Sequence, residues 1–464
     1  MNKLLYDYQV ERYETIDFTK KVFKGFFKKS RRKLVRWDTK ARVLAFISYA
    51  QLILIFALLA YLAPYYVAVP LILVVFSSRF LLLIISNAVY SPFERRILAK
   101  KTLLTAQTLG NRADLTTVAI TGSSGKTSVK HILQALLPSE LLYTNQNEND
   151  LTSYLDLLGN GLDDRYKYLL CDINARRKGD IKNVCQLVSP KIGILTSINE
   201  QHLSRFKTIE NTIQIKFEAL HNLRNEGLGI VNLDDHLIET NLKLALPTRL
   251  IGYSLEDKTS ELCDYVANAS NIASGIDGSR FSLSFKDREL AVETSLLGKK
   301  HIGNLVASLI CAIEMGEDPN ILVDRVRKLS QVPNCLEHKM HGGIHVLDDT
   351  ISANVSGFKE ALRILSLYEG RKTMATPGIP EVGSKSSDIH KLLGYLASGT
   401  VDLIMLIGKN DMTENIKLGA LDNNFKPENI IRMRDLDEVF RFVDKNLKDG
   451  DVILLENSLP EGVF

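Results

Sequence analysis

At 464 residues, with 45% hydrophobic and 24% charged side chains, the chain is long enough for two or three domains with cores of their own, and wholesale disorder is excluded. The net charge is only +4, and many of the cations sit in the first 42 residues. The five cysteines are scattered and odd in number with no C-x-x-C, which points to a reducing compartment and against a disulfide framework or a zinc site.

Residues 1–41 are basic and aromatic. Phe23, Phe26, Phe27 and Trp37 lie around the run Lys28-Lys29-Ser30-Arg31-Arg32-Lys33. They read as a cytoplasmic segment on an anionic lipid surface, a solvated arm being the alternative; no nucleic-acid motif is present, so no nucleic-acid partner is expected. Residues 42–90 hold two apolar runs. Val43 to Leu62 carries no charge over twenty residues, enough to cross a hydrocarbon core of about 30 Å. A break at Ala63-Pro64-Tyr65-Tyr66 leads into Val67 to Val89, interrupted only by Arg79, which is expected to snorkel or to mark where the helix leaves the core. Lys40 and Arg42 before the runs, and Arg95, Arg96, Lys100 and Lys101 after them, place both ends on the cytoplasmic side. The expectation is therefore a transmembrane helical hairpin in a multi-pass cell-membrane protein with cytoplasmic catalytic domains; a buried core hairpin is the competing reading. Residues 91–112 are expected as a linker.

Residues 113–330 alternate strand and helix. Thr117 to Ile120 reads as a strand and Ser128 to Leu137 as a helix, apolar at Val129, Ile132, Leu133, Leu136 and Leu137. Between them stands Thr121-Gly122-Ser123-Ser124-Gly125-Lys126-Thr127-Ser128. A glycine-containing turn opening a helix directs backbone N–H groups and a partial positive charge at an anion. Lys126 then meets the β- and γ-phosphates of a nucleoside triphosphate, and the Thr127 hydroxyl helps hold Mg²⁺. The pattern is shorter than the general P-loop, because Ile120 stands at the first glycine position. Strands at 168–173, 192–196 and 229–233, with helices at 178–188 and 212–223, complete an α/β domain of the P-loop ATPase type with a parallel sheet. Ligands are expected at the carboxyl ends of its strands, where Asp172, the 196–201 segment and Asp234 fall. From about residue 338 to 464 the alternation restarts, with buried strands at 344–347, 401–408 and 450–455, and reads as a Rossmann-like α/β domain.

These segments together resemble the Mur ligases, ATP-dependent enzymes that join amino acids to a carboxylate in peptidoglycan synthesis, and most of all the branch that adds D-alanyl-D-alanine. The resemblance runs from Leu115 to Ser458. It rests on the P-loop, the Asp172-Ile173-Asn174-Ala175-Arg176 run, Pro190 to Ile198 with Glu200-Gln201-His202-Leu203, Lys216-Phe217-Glu218, Val231-Asn232-Leu233-Asp234-Asp235, Gly298 with His301 and Asn304, Asp348-Asp349-Thr350 with Ala353-Asn354, and Gly378 to Gly383 with His390. It implies an ADP-forming amide ligase using ATP and Mg²⁺ through an acyl phosphate. Asp172 and His202 would join Thr127 at the metal, Asn304 would face the adenine, and Asp349 would lie near the nucleotide. Lys126 and His202 would serve catalysis with Lys216, which matches a lysine the family carbamylates; without the family, a surface lysine paired with a carboxylate is the simpler reading.

The chain also departs from the pattern. Cys335 stands where an arginine is usual, Ile351 replaces an aromatic, Asp172 is the shorter acid, and Glu456-Asn457-Ser458 replaces a terminal K-G-S. The membrane hairpin is expected to stand in place of the branch's N-terminal domain for the UDP-sugar. The expected partners are accordingly a carboxylate acceptor, lipid-linked or from a surface polymer, an amino acid or dipeptide amine donor, membrane lipids, and other proteins of cell-wall synthesis. A ligase for another polymer, a partner-dependent amidating enzyme and a non-catalytic nucleotide-binding scaffold at the membrane are the competing readings.

Overall fold

The computed structural model describes residues 39–62, 67, 79–144, 149–199, 206–245, 248–351, 354–380, 382 and 385–457. They fall into two compact units, divided between Leu103 and Leu104.

The first unit contains helix α1 (Thr39–Leu62) and most of helix α2 (Arg79–Gly110). The two are tied by a Ser48–Ser86 hydroxyl contact of 2.8 Å and a Lys40–Glu94 ion pair of 2.6 Å, around the buried Leu44 and Leu83. The expected two-span hairpin needs correction. Among the described residues one helix, at Lys40–Leu59, has the length and hydropathy of a span. Most of the second apolar run lies outside the described residues; from Arg79 the chain is helical as α2, which continues past Pro92 through Glu94, Arg95, Arg96, Lys100 and Lys101 to Gly110. Residues 91–110, expected as a linker, are that helix's second half. The side chain of Arg79 and the 1–38 segment lie outside the described residues.

The second unit holds two sheets. The first is built from β1 (Thr116–Thr121), β2 (Leu141–Tyr143), β3 (Tyr168–Asp172), β4 (Ile192–Leu195), β5 (Leu228–Asn232), β6 (Arg249–Ser254), β7 (Tyr265–Ser274), β8 (Ser279–Phe285) and β9 (Arg288–Thr294), in the order β2-β3-β1-β4-β5-β6-β7-β8-β9. Strands β2 to β7 pair in parallel, whereas β7-β8-β9 form an antiparallel extension. On one face lie α3 (Lys126–Leu136) and α8 (Lys299–Glu314), whose apolar stripes enter the main core. On the other lie α5 (Asp180–Val188) and α6 (Ile209–His221); α4 (Leu151–Gly161), the short α7 (His236–Glu239) and α9 (Pro319–Arg327) fill the connections. Val129, Ile132, Leu133 and Leu136 of α3 are fully buried, and each such side chain contributes about 1.5–3 kcal/mol. The chain leaves β1 toward β3 on one side and finds β4 on the other. That reversal opens a crevice at the carboxyl ends of these strands.

The second sheet runs β10-β11-β15-β12-β13-β14, from β10 (Glu337–His341), β11 (Ile344–Asp349), β12 (Lys372–Thr376), β13 (Leu403–Ile407), β14 (Ile430–Met433) and β15 (Val452–Glu456). Only the β10–β11 hairpin is antiparallel. Helices α10 (Val355–Leu365), α11 (Ser386–Ser398) and α12 (Asp411–Asp422) pair with one core, and α13 (Leu436–Asn446) with the other. The two sheets meet at α8: Glu360 of α10 accepts from the Lys299 backbone N–H at 2.6 Å, and Ile276 of the β7–β8 turn packs into the second core.

Candidate functional site

The turn from β1 into α3 has the geometry that its sequence requires. Gly122 and Gly125 both take positive φ, +152° and +87°. A Cβ on Gly122 would collide with the Thr196 hydroxyl, and one on Gly125 would lie 2.5 Å from Asn304 Oδ1. The segment after β4 clamps the turn. The Ser123 amide donates to Ser197 O at 2.8 Å and the Ser124 amide to Ser197 Oγ at 2.9 Å; the Asn199 amide donates to Ser123 Oγ at 3.0 Å. Thr121 Oγ1 donates to Ile173 O, which joins the loop to β3 as well. With Ser123 and Ser124 engaged, the amides left to meet an anion are those of Gly125 to Ser128, at the helix N-terminus. The missing first glycine is thus compensated: a shorter loop held from the side by Ser197 delivers the same helix end.

Asp235 supports the clamp from behind, accepting from the Ile198 amide at 2.8 Å while capping α7 through Leu237 and Ile238. Asn232 Nδ2 donates to Thr196 O at 3.1 Å. These contacts give the Asn232 and Asp235 positions a job in holding the phosphate loop.

Lys126 is folded over the loop, its Nζ donating to Gly122 O at 2.6 Å and Ser123 O at 3.4 Å. Burial pushes its pKa down to about 8, against the pull of Asp172 and with a further push from Lys300. Asp172 ends β3, buried, with its pKa raised by burial and held back chiefly by Lys130. Lys130 Nζ donates to Asp172 Oδ1 at 2.9 Å, and Thr144 Oγ1 adds a contact at 3.4 Å. Lys216 lies on α6, 1% exposed, and its Nζ has no hydrogen-bond partner among the described residues. Burial, then the charge of Lys126, drives its pKa well below 10.5. The neighbouring carboxylate is not its partner: Glu218 accepts instead from the Gly179 and Lys182 amides at the start of α5. Lys126 therefore stands in the electrostatic reach of both Asp172 and Lys216.

A cavity of about 290 Å³ opens beside the turn, lined by Ser123 to Ser128 and by Asn149, Asn174, Lys300, His301, Cys335, Asp349 and Asn354, among others. Asn304 is buried against Gly125 with its Nδ2 unpartnered among the described residues. Asp349, at the end of β11, accepts from the Leu336 amide at 3.0 Å. His202 lies outside the described residues, so the structure does not place it. No three His, Cys, Asp or Glu side chains cluster as a metal site among the described residues. The oxygen donors at hand, Thr127 and Asp172, suit Mg²⁺, which binds through one or two protein oxygens plus phosphates and water.

Lys130, Lys300 and Glu456 were not among the residues the sequence pointed to as site members, and Ser197 lay in the expected 196–201 segment without being singled out. Lys130 had a signal: a lysine one turn after Lys126, amid apolar positions of the buried stripe.

A family profile described as the Mur ligase middle domain matches residues 120–312. Residues 120–312 are a Mur ligase middle domain. Among curated proteins the chain is similar to the UDP-N-acetylmuramoyl-tripeptide–D-alanyl-D-alanine ligase of Buchnera aphidicola subsp. Baizongia pistaciae, 28% identical over 309 residues, covering 66% of this chain and 65% of that one. The Escherichia coli K12 enzyme of the same name is 26% identical over 298 residues, covering 63% and 64%. The aligned stretches thus span just under two thirds of these relatives' length. Among solved structures, MurF of Acinetobacter baumannii aligns with a TM-score of 0.67 at 21% identity, covering 78% of this chain and 77% of that one. MurF of Thermotoga maritima, solved in complex with ADP, aligns with a TM-score of 0.66 at 23% identity, covering 78% and 80%. The fold around the Mur ligase middle domain is that of these proteins. The comparisons overturn the expected multi-pass membrane location, and they lend no support to a lipid-linked acceptor. The relatives are named for a UDP-linked precursor, and the described residues offer one span-length helix where two were expected.

Proposed function

We propose that the chain is an ATP-dependent, ADP-forming carboxylate–amine ligase of the Mur type, acting in peptidoglycan precursor synthesis. Its acceptor is a UDP-linked muramoyl peptide carboxylate and its amine donor a D-alanyl-D-alanine-like dipeptide, as in the names of its relatives. The observation that carries this reading is the grouping of Lys126, Asp172 and Lys216 around one P-loop, with Lys216 buried and its amine unpartnered among the described residues.

Mg²⁺, held by Thr127 and Asp172 with the nucleotide's phosphates, supplies charge neutralisation between two anions that must approach. The chain's own groups do the rest. The amides of Gly125 to Ser128 and the Lys126 ammonium bind the phosphates and stabilise charge that builds on the transferred phosphoryl group. Lys130 orients Asp172 through its 2.9 Å contact. Burial disfavours the charged form of Lys216, and a neutral amine is nucleophilic toward CO₂, so Lys216 is suited to carbamylation, which would release a proton and turn the buried amine into an anionic oxygen donor that could serve as a metal ligand. Asn304 fixes the adenine side, and Asp349 reaches the nucleotide from the second sheet. The cavity's enclosure by both sheets keeps water from the acyl phosphate until the amine attacks.

The test is ADP release by the purified chain with UDP-muramoyl tripeptide and D-alanyl-D-alanine. Release should require both substrates and be lost in Lys126→Ala. Nucleotide binding without turnover on any cell-wall precursor would instead favour a nucleotide-binding scaffold.

A further inference from the structure

Two lysines line the cavity, Lys126 from the P-loop and Lys300 from the first turn of α8, together with Asp349. Asp349 is register-paired with Glu456 across β11 and β15. In-register neighbours on parallel strands direct their side chains to the same face. Both acids are buried, and neither carboxylate oxygen of Glu456 has a hydrogen-bond partner among the described residues. Two carboxyl groups side by side in such a place cannot both ionise without a facing cation. Lys300 lines the same cavity as Asp349; its charge opposes the rise that burial imposes on both acids, and it pushes on Lys126 as well. Two ammonium groups directed into one cavity repel, and a polyphosphate placed between them converts the repulsion into two attractions.

We infer that Lys300 is a second phosphate-binding lysine for the nucleotide, shared between the nucleotide and the buried acid pair Asp349–Glu456. This rests on the nucleotide reading of the cavity and adds to it a residue and a counter-charge. The negative charge that the buried acid pair retains competes for Lys300, and so tunes nucleotide affinity without touching the nucleotide. The α8 N-terminus, docked on Glu360 of α10, holds Lys300 at the seam where both can reach it.

The experiment is calorimetric binding of MgADP to the full chain, wild type against Lys300→Met, Lys300→Arg, Glu456→Gln and the double variant Lys300→Met with Glu456→Gln. Lys300→Met should weaken binding about tenfold or more, as loss of a charge-assisted contact does, and Lys300→Arg should retain most of the affinity. Glu456→Gln should tighten binding, and that gain should vanish in the Lys300→Met background, since the two act through one charge. Lys300→Met binding within about twofold of wild type overturns the inference. So does a Glu456→Gln gain that survives without Lys300. If the wild-type chain does not bind MgADP, the nucleotide reading falls and the inference with it.

Discussion

Replacing Lys216 by methionine separates what this residue does for folding from what it does for chemistry. The wild-type side chain is 1% exposed with an unpartnered Nζ among the described residues. Leaving a buried polar group unsatisfied costs about 1–3 kcal/mol, so an apolar side chain of similar length should stabilise the protein by about that amount near the unfolded pKa, and by more at lower pH, where discharging the ammonium adds its own cost. The pH dependence is more telling. Burial holds the folded pKa well below 10.5, while the unfolded chain keeps the ordinary value. Between those two values the unfolded state carries a proton that the folded state does not. Stability therefore rises with pH across that window, by up to about 1.4 kcal/mol per unit, and the rise ends at the unfolded pKa. Lys216→Met lacks this contribution, so its advantage over wild type should shrink steadily as pH climbs from 7 toward 10. Denaturant unfolding of both proteins at pH 7, 8, 9 and 10 measures the gap. Coupled ADP release with UDP-muramoyl tripeptide and D-alanyl-D-alanine measures the chemistry, which should drop at least about 100-fold. A variant that is less stable than wild type with an unchanged pH slope would mean that Lys216 is charged and paired. A variant that turns over normally would remove it from the site.

Three further substitutions probe the surrounding contacts. Gly125→Ala adds a Cβ 2.5 Å from Asn304 Oδ1 at a φ of +87°; the left-handed backbone alone costs about 1–2 kcal/mol, and MgADP affinity by calorimetry should fall about tenfold or more. Ser197→Ala removes a 2.9 Å contact to the Ser124 amide, worth about 0.5–1.5 kcal/mol, so KM for ATP should rise severalfold while kcat changes less, and Ser197→Thr should restore part of the loss. Lys130→Met strips Asp172 of its 2.9 Å partner and should destabilise by about 3–5 kcal/mol. Asp172, already raised above 3.8 by burial, would rise further, so folded protein would hold a proton that unfolded chain has released. The loss should then be smaller at pH 5 than at pH 8, and equal losses at both would show that Asp172 stays ionised alone.

What the sequence made legible was local. The β1–turn–α3 unit could be read because strand, glycine turn, G-K-T and apolar stripe lie within about twenty consecutive residues, where spacing maps directly onto geometry. The central parallel strands could be read for the same reason. The β7–β9 extension was not read from the sequence, although buried positions recur with period two along β8 from Ser279 to Phe285. The second apolar run falls largely outside the described residues, but composition gave no sign that the helix described from Arg79 runs on through the charged positions Glu94 to Lys101 as far as Gly110. In the site, contacts set by distant partners were invisible. Ser197 acts on a loop 73 residues earlier in the chain, and Lys130 on an acid 42 residues later. Glu456 registered as a reversal of charge, yet only the strand pairing reveals that the reversal lands beside Asp349.

The way charges are matched around the P-loop bears on whether the site is catalytic. Asp172 has Lys130, and the charge of Lys300 acts on Asp349 and Glu456. The two lysines left over are Lys126, which donates to backbone carbonyls, and Lys216, whose amine has no partner among the described residues. A scaffold that merely holds a nucleotide has use for Lys126, because phosphate oxygens replace those carbonyls. It has none for Lys216, a buried amine without a partner among the described residues, whose charged form burial disfavours and which sits where methionine or leucine would pack better. Nucleotide binding alone would not retain so costly a group. A reaction that needs a buried nucleophilic amine, or the carbamate made from it, would, and for that reason the activity of Lys216→Met discriminates between ligase and scaffold where nucleotide affinity does not.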